Sequence, residues 1–144
     1  MIALACDHGA FALKEKVKAH LLKQGFALED FGTTCADSCD YPEFGAKAAK
    51  AVAEGRCERG VVLCTTGIGI SIAANKVRGI RCALCTDALM AEMTRRHNDT
   101  NMLAIGAGVT GELLALHIID TWLGTEFEGG RHQRRVDQII ALEG

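Results

Sequence analysis

The chain has 144 residues, 49% of them hydrophobic and 24% charged, with a formal net charge of −2. That is enough sequence for one globular core, and the near-neutral balance excludes the electrostatic footprint of a nucleic-acid-binding surface. No apolar run approaches a membrane span, and Met1 leads directly into a strand-like segment rather than a leader, so the expected setting is the cytoplasm.

Taken in chain order, IALAC (Ile2–Cys6) is apolar throughout and predicts a short buried strand. Leu13, Val17 and Leu21 follow at helical spacing, and Gly25 fits the stop. FALED is a second strand. A polar loop, FGTTCADSCDYPEF, carries the only proline, Pro42, and a helix rich in alanine and lysine runs on to about Glu54. GVVLC, ending at Cys64, is the third strand and IRCALC the fourth. Asp87 can cap a helix running through Met90 and Met93 to about His97. NMLAIG is the fifth strand, Thr110 opens a helix that ends near Gly124, and a last helix fits Arg131 to Leu142. Helices thus alternate with strands apolar on both faces, which predicts one α/β domain, residues 1–144, built on a parallel sheet covered on both sides.

In such sheets ligands sit outside the carboxyl ends of the strands. The segments there read Asp7-His8-Gly9, Gly32-Thr33-Thr34, Cys64-Thr65-Thr66-Gly67-Ile68-Gly69, Thr86-Asp87 and Gly106-Ala107-Gly108. The third has the most chemistry. Small residues from Thr65 to Ser71 let backbone N–H groups approach a ligand, and a helix start favours an anion. A thiol beside such a site can serve as a base. The same residues read equally as a phosphate-binding loop with a bystander cysteine. The loop matches neither G-x-x-x-x-G-K-[ST] nor a full G-x-G-x-x-G, which argues against a nucleotide cofactor.

Seven cysteines, an odd number, do not read as a disulfide framework. Cys82 and Cys85 form a C-x-x-C, but residues three apart on a strand face opposite ways, and Cys35 and Cys39 are a weak metal signal, so no metal site is expected. Asp7 and His8 at a sheet edge read as functional rather than core, with a surface turn as the alternative. His97 and Asn98 end a helix, where a histidine can simply be a cap. Asp40-Tyr41 is a lid or ordinary turn chemistry. His20 and His117 lie within helices and read as surface or packing residues. On the last helix Arg131, Arg134, Arg135 and Gln138 share one face, and Val136, Ile139 and Ile140 another, so the basic face is either solvated or a phosphate clamp.

CDHGAF, DYPEFG, CTTGIGISIAANK, GIRCAL, RRHNDTN and EGGRHQRRV together resemble the ribose-5-phosphate isomerase B family, which also includes galactose-6-phosphate isomerase subunits. The resemblance runs from about Ile2 to Ile140. It implies a Rossmann-like three-layer α/β/α domain with a five-stranded parallel sheet, a homodimer often paired into a tetramer, and isomerisation of a sugar phosphate without cofactor or metal. By position, Cys64 resembles the base that moves a proton between the two carbons beside the carbonyl. Thr66 and the N–H groups of Gly67, Ile68, Gly69, Ile70 and Ser71 resemble the enediolate site. His97 resembles the group that opens the sugar ring, assisted by Asp7, while Asn98 and Tyr41 resemble hydroxyl contacts. His8, Arg131 and Arg135 resemble phosphate ligands, the arginines reaching in from the partner subunit.

Two positions depart from the family pattern. Thr65 stands where glycine is usual, and Gly108 where many relatives have an arginine that binds phosphate, a loss for which Arg134 can compensate. The expected reaction interconverts ribose 5-phosphate and ribulose 5-phosphate. The alternatives are the same chemistry on a four- or six-carbon sugar phosphate, such as allose or galactose 6-phosphate, or a silent sugar-phosphate-binding subunit.

Overall fold

The computed structural model describes Met1 to Gly144. Its strands are β1 (Ile2–Cys6), β2 (Leu28–Asp30), β3 (Arg59–Cys64), β4 (Cys82–Leu84) and β5 (Met102–Gly106); its helices are α1 (Phe11–Lys23), α2 (Tyr41–Ala53), α3 (Ile68–Asn75), α4 (Ala88–Asn98), α5 (Glu112–Leu123) and α6 (Arg131–Ala141). The strands form one parallel sheet in the order β2-β1-β3-β5-β4. The most apolar strands lie at its centre because they bury both faces. All five residues of β1 and of β5 are buried.

Successive side chains of each strand feed two cores. Leu4, Leu63 and Ile105 meet Val17 and Leu21 of α1 and Ile118 and Trp122 of α5. Ala3, Ala5, Val62 and Ala104 meet Ala48 and Val52 of α2 and Ile70 and Ala74 of α3. The expected α/β/α layering and five parallel strands are therefore present. Cys82 and Cys85 fall to opposite cores, as their spacing predicts. No helix is long and apolar enough to cross a membrane.

Several boundaries differ from the sequence reading. Both edge strands are shorter than their apolar runs: β2 starts at Leu28 rather than Phe26, and β4 covers only Cys82–Leu84, since an edge strand pairs on one side alone. Tyr41 and Pro42 open α2 instead of closing the loop, because a proline in the first turn gives up an N–H that has no helical partner there. On α6 only Val136 is buried; Ile139 and Ile140, expected to anchor the helix, remain 44% and 42% exposed.

One buried charge was invisible in the pattern. Lys14 of α1 is fully buried, and its Nζ donates to Asp30 Oδ2 at 2.7 Å and to the Thr33 carbonyl at 2.8 Å, with Lys18 also on Asp30 at 3.1 Å. Burial opposes charge on both groups. The paired hydrogen bond and opposite charge overcome it, raising Lys14 and, with the Gly32 N–H and Lys18, lowering Asp30. This pair fixes the chain leaving β2, which then runs over the carboxyl edge toward Tyr41.

Candidate active site

Three loops converge at the carboxyl edge of β1 and β3. Cys64 ends β3 opposite Gly106 of β5 and is 5% exposed. Its Sγ accepts the Gly67 N–H at 3.1 Å, so the sulfur, at the rim of the second core, faces the turn that opens α3. Gly67 has φ of +78°, and a Cβ there would stand 2.5 Å from Leu84, so both conformation and space require glycine. The Ile68 N–H donates to Thr66 Oγ1 at 3.2 Å and the Ser71 hydroxyl to the Ile68 carbonyl at 2.7 Å. Gly69 and Ile70, next in the first turn of α3, keep N–H groups that meet no acceptor within the chain. Those donors are free to meet an anion.

Tyr41 closes this turn from the side. A Cβ on Gly69 would lie 2.5 Å from the Tyr41 ring, so the ring rests directly on the glycine. On the β1 side Asp7 is buried, its Oδ1 accepting the Gly9 N–H at 3.0 Å. His8 is exposed, and its Nδ1 accepts the Cys39 N–H at 3.2 Å, which ties the polar loop to the same edge. Asp7, His8, Tyr41 and the Cys64–Ser71 turn thus form one constellation.

His97 and Asn98 are not part of it. In a β-α-β unit the helix runs back, so the C-terminus of α4 lies at the amino edge of the sheet. Asn98 shows this directly: its carbonyl accepts from Arg81 Nε at 3.0 Å, just before β4 begins. Within one chain, therefore, His97 does not meet Cys64. His97 instead stacks on His132 of α6, ring centroids 4.1 Å apart and planes 13° from parallel. Arg131 and Arg135 are exposed on the same helix. Partial burial, then the neighbouring His97, hold the His132 imidazole below its ordinary value. The His132 contact was missed in the sequence, where EGGRHQRRV drew attention to its arginines. The two halves of the expected site lie at opposite edges of one sheet.

A family model described as Ribose/Galactose Isomerase matches residues 2–139. Ribose-5-phosphate isomerase B of Escherichia coli (strain K12) is 49% identical over 142 residues, 99% of this chain and 95% of that protein. D-erythrulose-4-phosphate isomerase of Pectobacterium atrosepticum is 39% identical, over 96% of this chain and 91% of its own. A structure of Clostridium thermocellum ribose-5-phosphate isomerase B superposes with a TM-score of 0.98 at 54% identity, covering 99% of this chain and 96% of that one.

The chain belongs to the ribose/galactose isomerase family.

It is an enzyme, an aldose–ketose isomerase of sugar phosphates. In this isomerase the two departures from the family pattern touch. A Cβ added at Gly108 would lie 3.0 Å from Thr65 Cγ2, and one at Gly9 would collide with Thr65 Oγ1. The Thr65 side chain therefore fills the gap between the loops after β1 and β5. Among the other thiols, burial pushes Cys6 and Cys82 up to about 12 and Cys85 to about 11, which keeps them protonated and inert at neutral pH.

Proposed function

We propose that this isomerase interconverts D-ribose 5-phosphate and D-ribulose 5-phosphate through an enediolate, with Cys64 as the proton-transfer base. The observation that carries it is the aim of the Cys64 sulfur, held by the Gly67 N–H at 3.1 Å beside the unpaired donors of Gly69 and Ile70. In this reading the thiolate takes the C2 proton and returns it to C1. The negative oxygens of the enediolate lie on the α3 N–H groups and Thr66, donors already in place before charge develops. Asp7, Tyr41 and His8 border the same cleft; His8 meets the phosphate and Tyr41 a hydroxyl.

The missing half comes from a second copy. We infer a homodimer in which His97, Asn98, Arg131 and Arg135 of one subunit complete the site of the other. The 11-residue α4 spans about 16 Å from the carboxyl to the amino edge. A two-fold axis across its midpoint carries a partner's His97 to the edge where Cys64 lies. Exposed Leu89, Met90 and Met93 on α4, with Ile139 and Ile140 on α6, give that contact its apolar surface. His97 then opens the sugar ring and the arginines hold the phosphate. We place this one-domain enzyme in the cytoplasm, where its seven free thiols stay reduced.

A four-carbon substrate is the second reading, because a relative bears the name D-erythrulose-4-phosphate isomerase and Gly108 leaves the phosphate end one guanidinium short. Turnover of purified enzyme on four-, five- and six-carbon aldose phosphates decides. The ribose reading expects the highest kcat/KM on ribose 5-phosphate. A higher value on a four- or six-carbon substrate replaces it, and no turnover on any makes the chain a binding subunit.

A further inference from the structure

His97, Glu128 and His132 come from three places: the last turn of α4, the segment that follows α5, and the first turn of α6. Each offers one ligand atom, and the three atoms lie within 4.8 Å of one another. Two imidazoles and a carboxylate are a donor set suited to a borderline divalent cation. A triangle with sides of that length has its centre within about 2.8 Å of each corner, so the three donor atoms already lie near zinc-ligand distances of about 2.0–2.2 Å, and what binding requires is reorientation of a ring. The carboxylate does not have to be recruited from a loose loop. The Glu128 N–H donates to the Arg96 carbonyl at 3.1 Å, and Arg95 Nε donates to the Thr125 carbonyl at 3.1 Å, tying the segment to α4. The negative end of the α4 dipole lies at His97 and favours a cation there.

We propose that His97, Glu128 and His132 form a binding site for a zinc-class divalent cation, and that the bound ion inhibits the isomerase. The inhibition rests on the reading of His97 as the ring-opening group, because an imidazole whose lone pair is on a metal cannot exchange a proton with the sugar. Ring lone pairs lie in the ring planes, so the near-parallel stack cannot aim both imidazoles at one ion. Binding therefore rotates the His132 ring out of the parallel stack while its ligating nitrogen stays beside His97 and Glu128. Arg131 and Arg135 flank His132 and oppose added positive charge, so the ion is held reversibly rather than as a structural metal.

The test uses chelator-stripped enzyme with its thiols reduced. ZnCl2 is titrated by calorimetry, and Co2+ is followed by its visible absorption. Expected are one ion per chain, a tetrahedral Co2+ spectrum without a strong thiolate charge-transfer band, and affinity lowered roughly tenfold or more in both Glu128→Gln and His132→Phe. Glu128→Gln should leave the turnover of stripped enzyme unchanged while relieving inhibition by zinc. No binding, or binding equally tight in both variants with a thiolate band, overturns the site. Binding at the site with full turnover of ring-form substrate at saturating zinc overturns the inhibition. Absence of turnover in the stripped enzyme on every sugar phosphate sinks the isomerase reading instead, and calorimetry still decides the site.

Discussion

At the end of β3 the last buried position of a strand is given to Cys64, whose Sγ accepts the Gly67 N–H at 3.1 Å. Replacing it by alanine removes a few atoms and leaves the glycine turn, set by the φ of Gly67, in place. Cys64→Ala is expected to lower kcat by about 10²–10⁴-fold, the usual worth of a positioned base, with substrate affinity by calorimetry largely kept. Near-normal turnover would exclude the base role. At Gly69 the close approach of Tyr41 supplies a second check. A methyl group there meets the ring at 2.5 Å, so Gly69→Ala must push Tyr41 off the turn. The expected result is a raised KM with the thermal midpoint little changed; an unchanged KM would mean that Tyr41 does not contact substrate. The sequence named both residues, since a thiol followed by small residues is legible as a string. That Thr65 turns toward Gly9 and Gly108 was not, because it depends on how three loops far apart in sequence meet.

Among the elements, α1 and β2 are joined by the Lys14–Asp30 pair, and its pH dependence has a defined sign. Asp30 is lowered, so its contribution is present above the ordinary value of 3.8 and is lost as pH falls through the lower folded value. Lys14 is raised, so its contribution is complete below 10.5 and is lost only as pH rises beyond that. Both are in full effect near neutrality. Lys14→Met leaves Asp30 with Lys18 alone and is expected to cost about 3 kcal/mol in urea unfolding at neutral pH. The gap to wild type should narrow in acid as Asp30 protonates, and a constant gap would show that lost packing, not charge, is responsible. The helical spacing of Leu13, Val17 and Leu21 on α1 gave no hint of this, because a lysine among apolar residues reads as a solvated face until the partner on β2 is placed beside it. On α6 the predicted phosphate clamp has its own test. Arg135→Ala should raise KM for a phosphorylated sugar about tenfold to a hundredfold, the worth of one charge-assisted contact, and hardly affect a non-phosphorylated one. Equal effects on both would remove the phosphate role.

The whole molecule poses the question of where the complete site is, since Cys64 and His97 occupy opposite edges of one sheet. Mixing Cys64→Ala with His97→Asn subunits and allowing exchange should restore activity, because the heterodimer has one site with both groups intact and one with neither. Statistical exchange of equal amounts restores about a quarter of wild-type activity. If mass analysis confirms heterodimers and activity stays absent, the groups do not act across subunits. Much of this enzyme was set by local pattern. Apolar runs of strand length alternating with helical periods determine an α/β chain with parallel strands, and GVVLC followed by small residues determines a glycine-rich turn at the carboxyl edge. Those features depend on residues within a few positions of one another, so a string of letters contains them. Strand order, the burial of Lys14, the exposure of Ile139 and Ile140, and the His97–His132 stack were decided only in three dimensions. Each depends on which distant segments the sheet brings together. The separation of Cys64 from His97 has the same cause: parallel strands send every connecting helix back to the opposite edge, so this chain holds the two residues at the two ends of its own sheet.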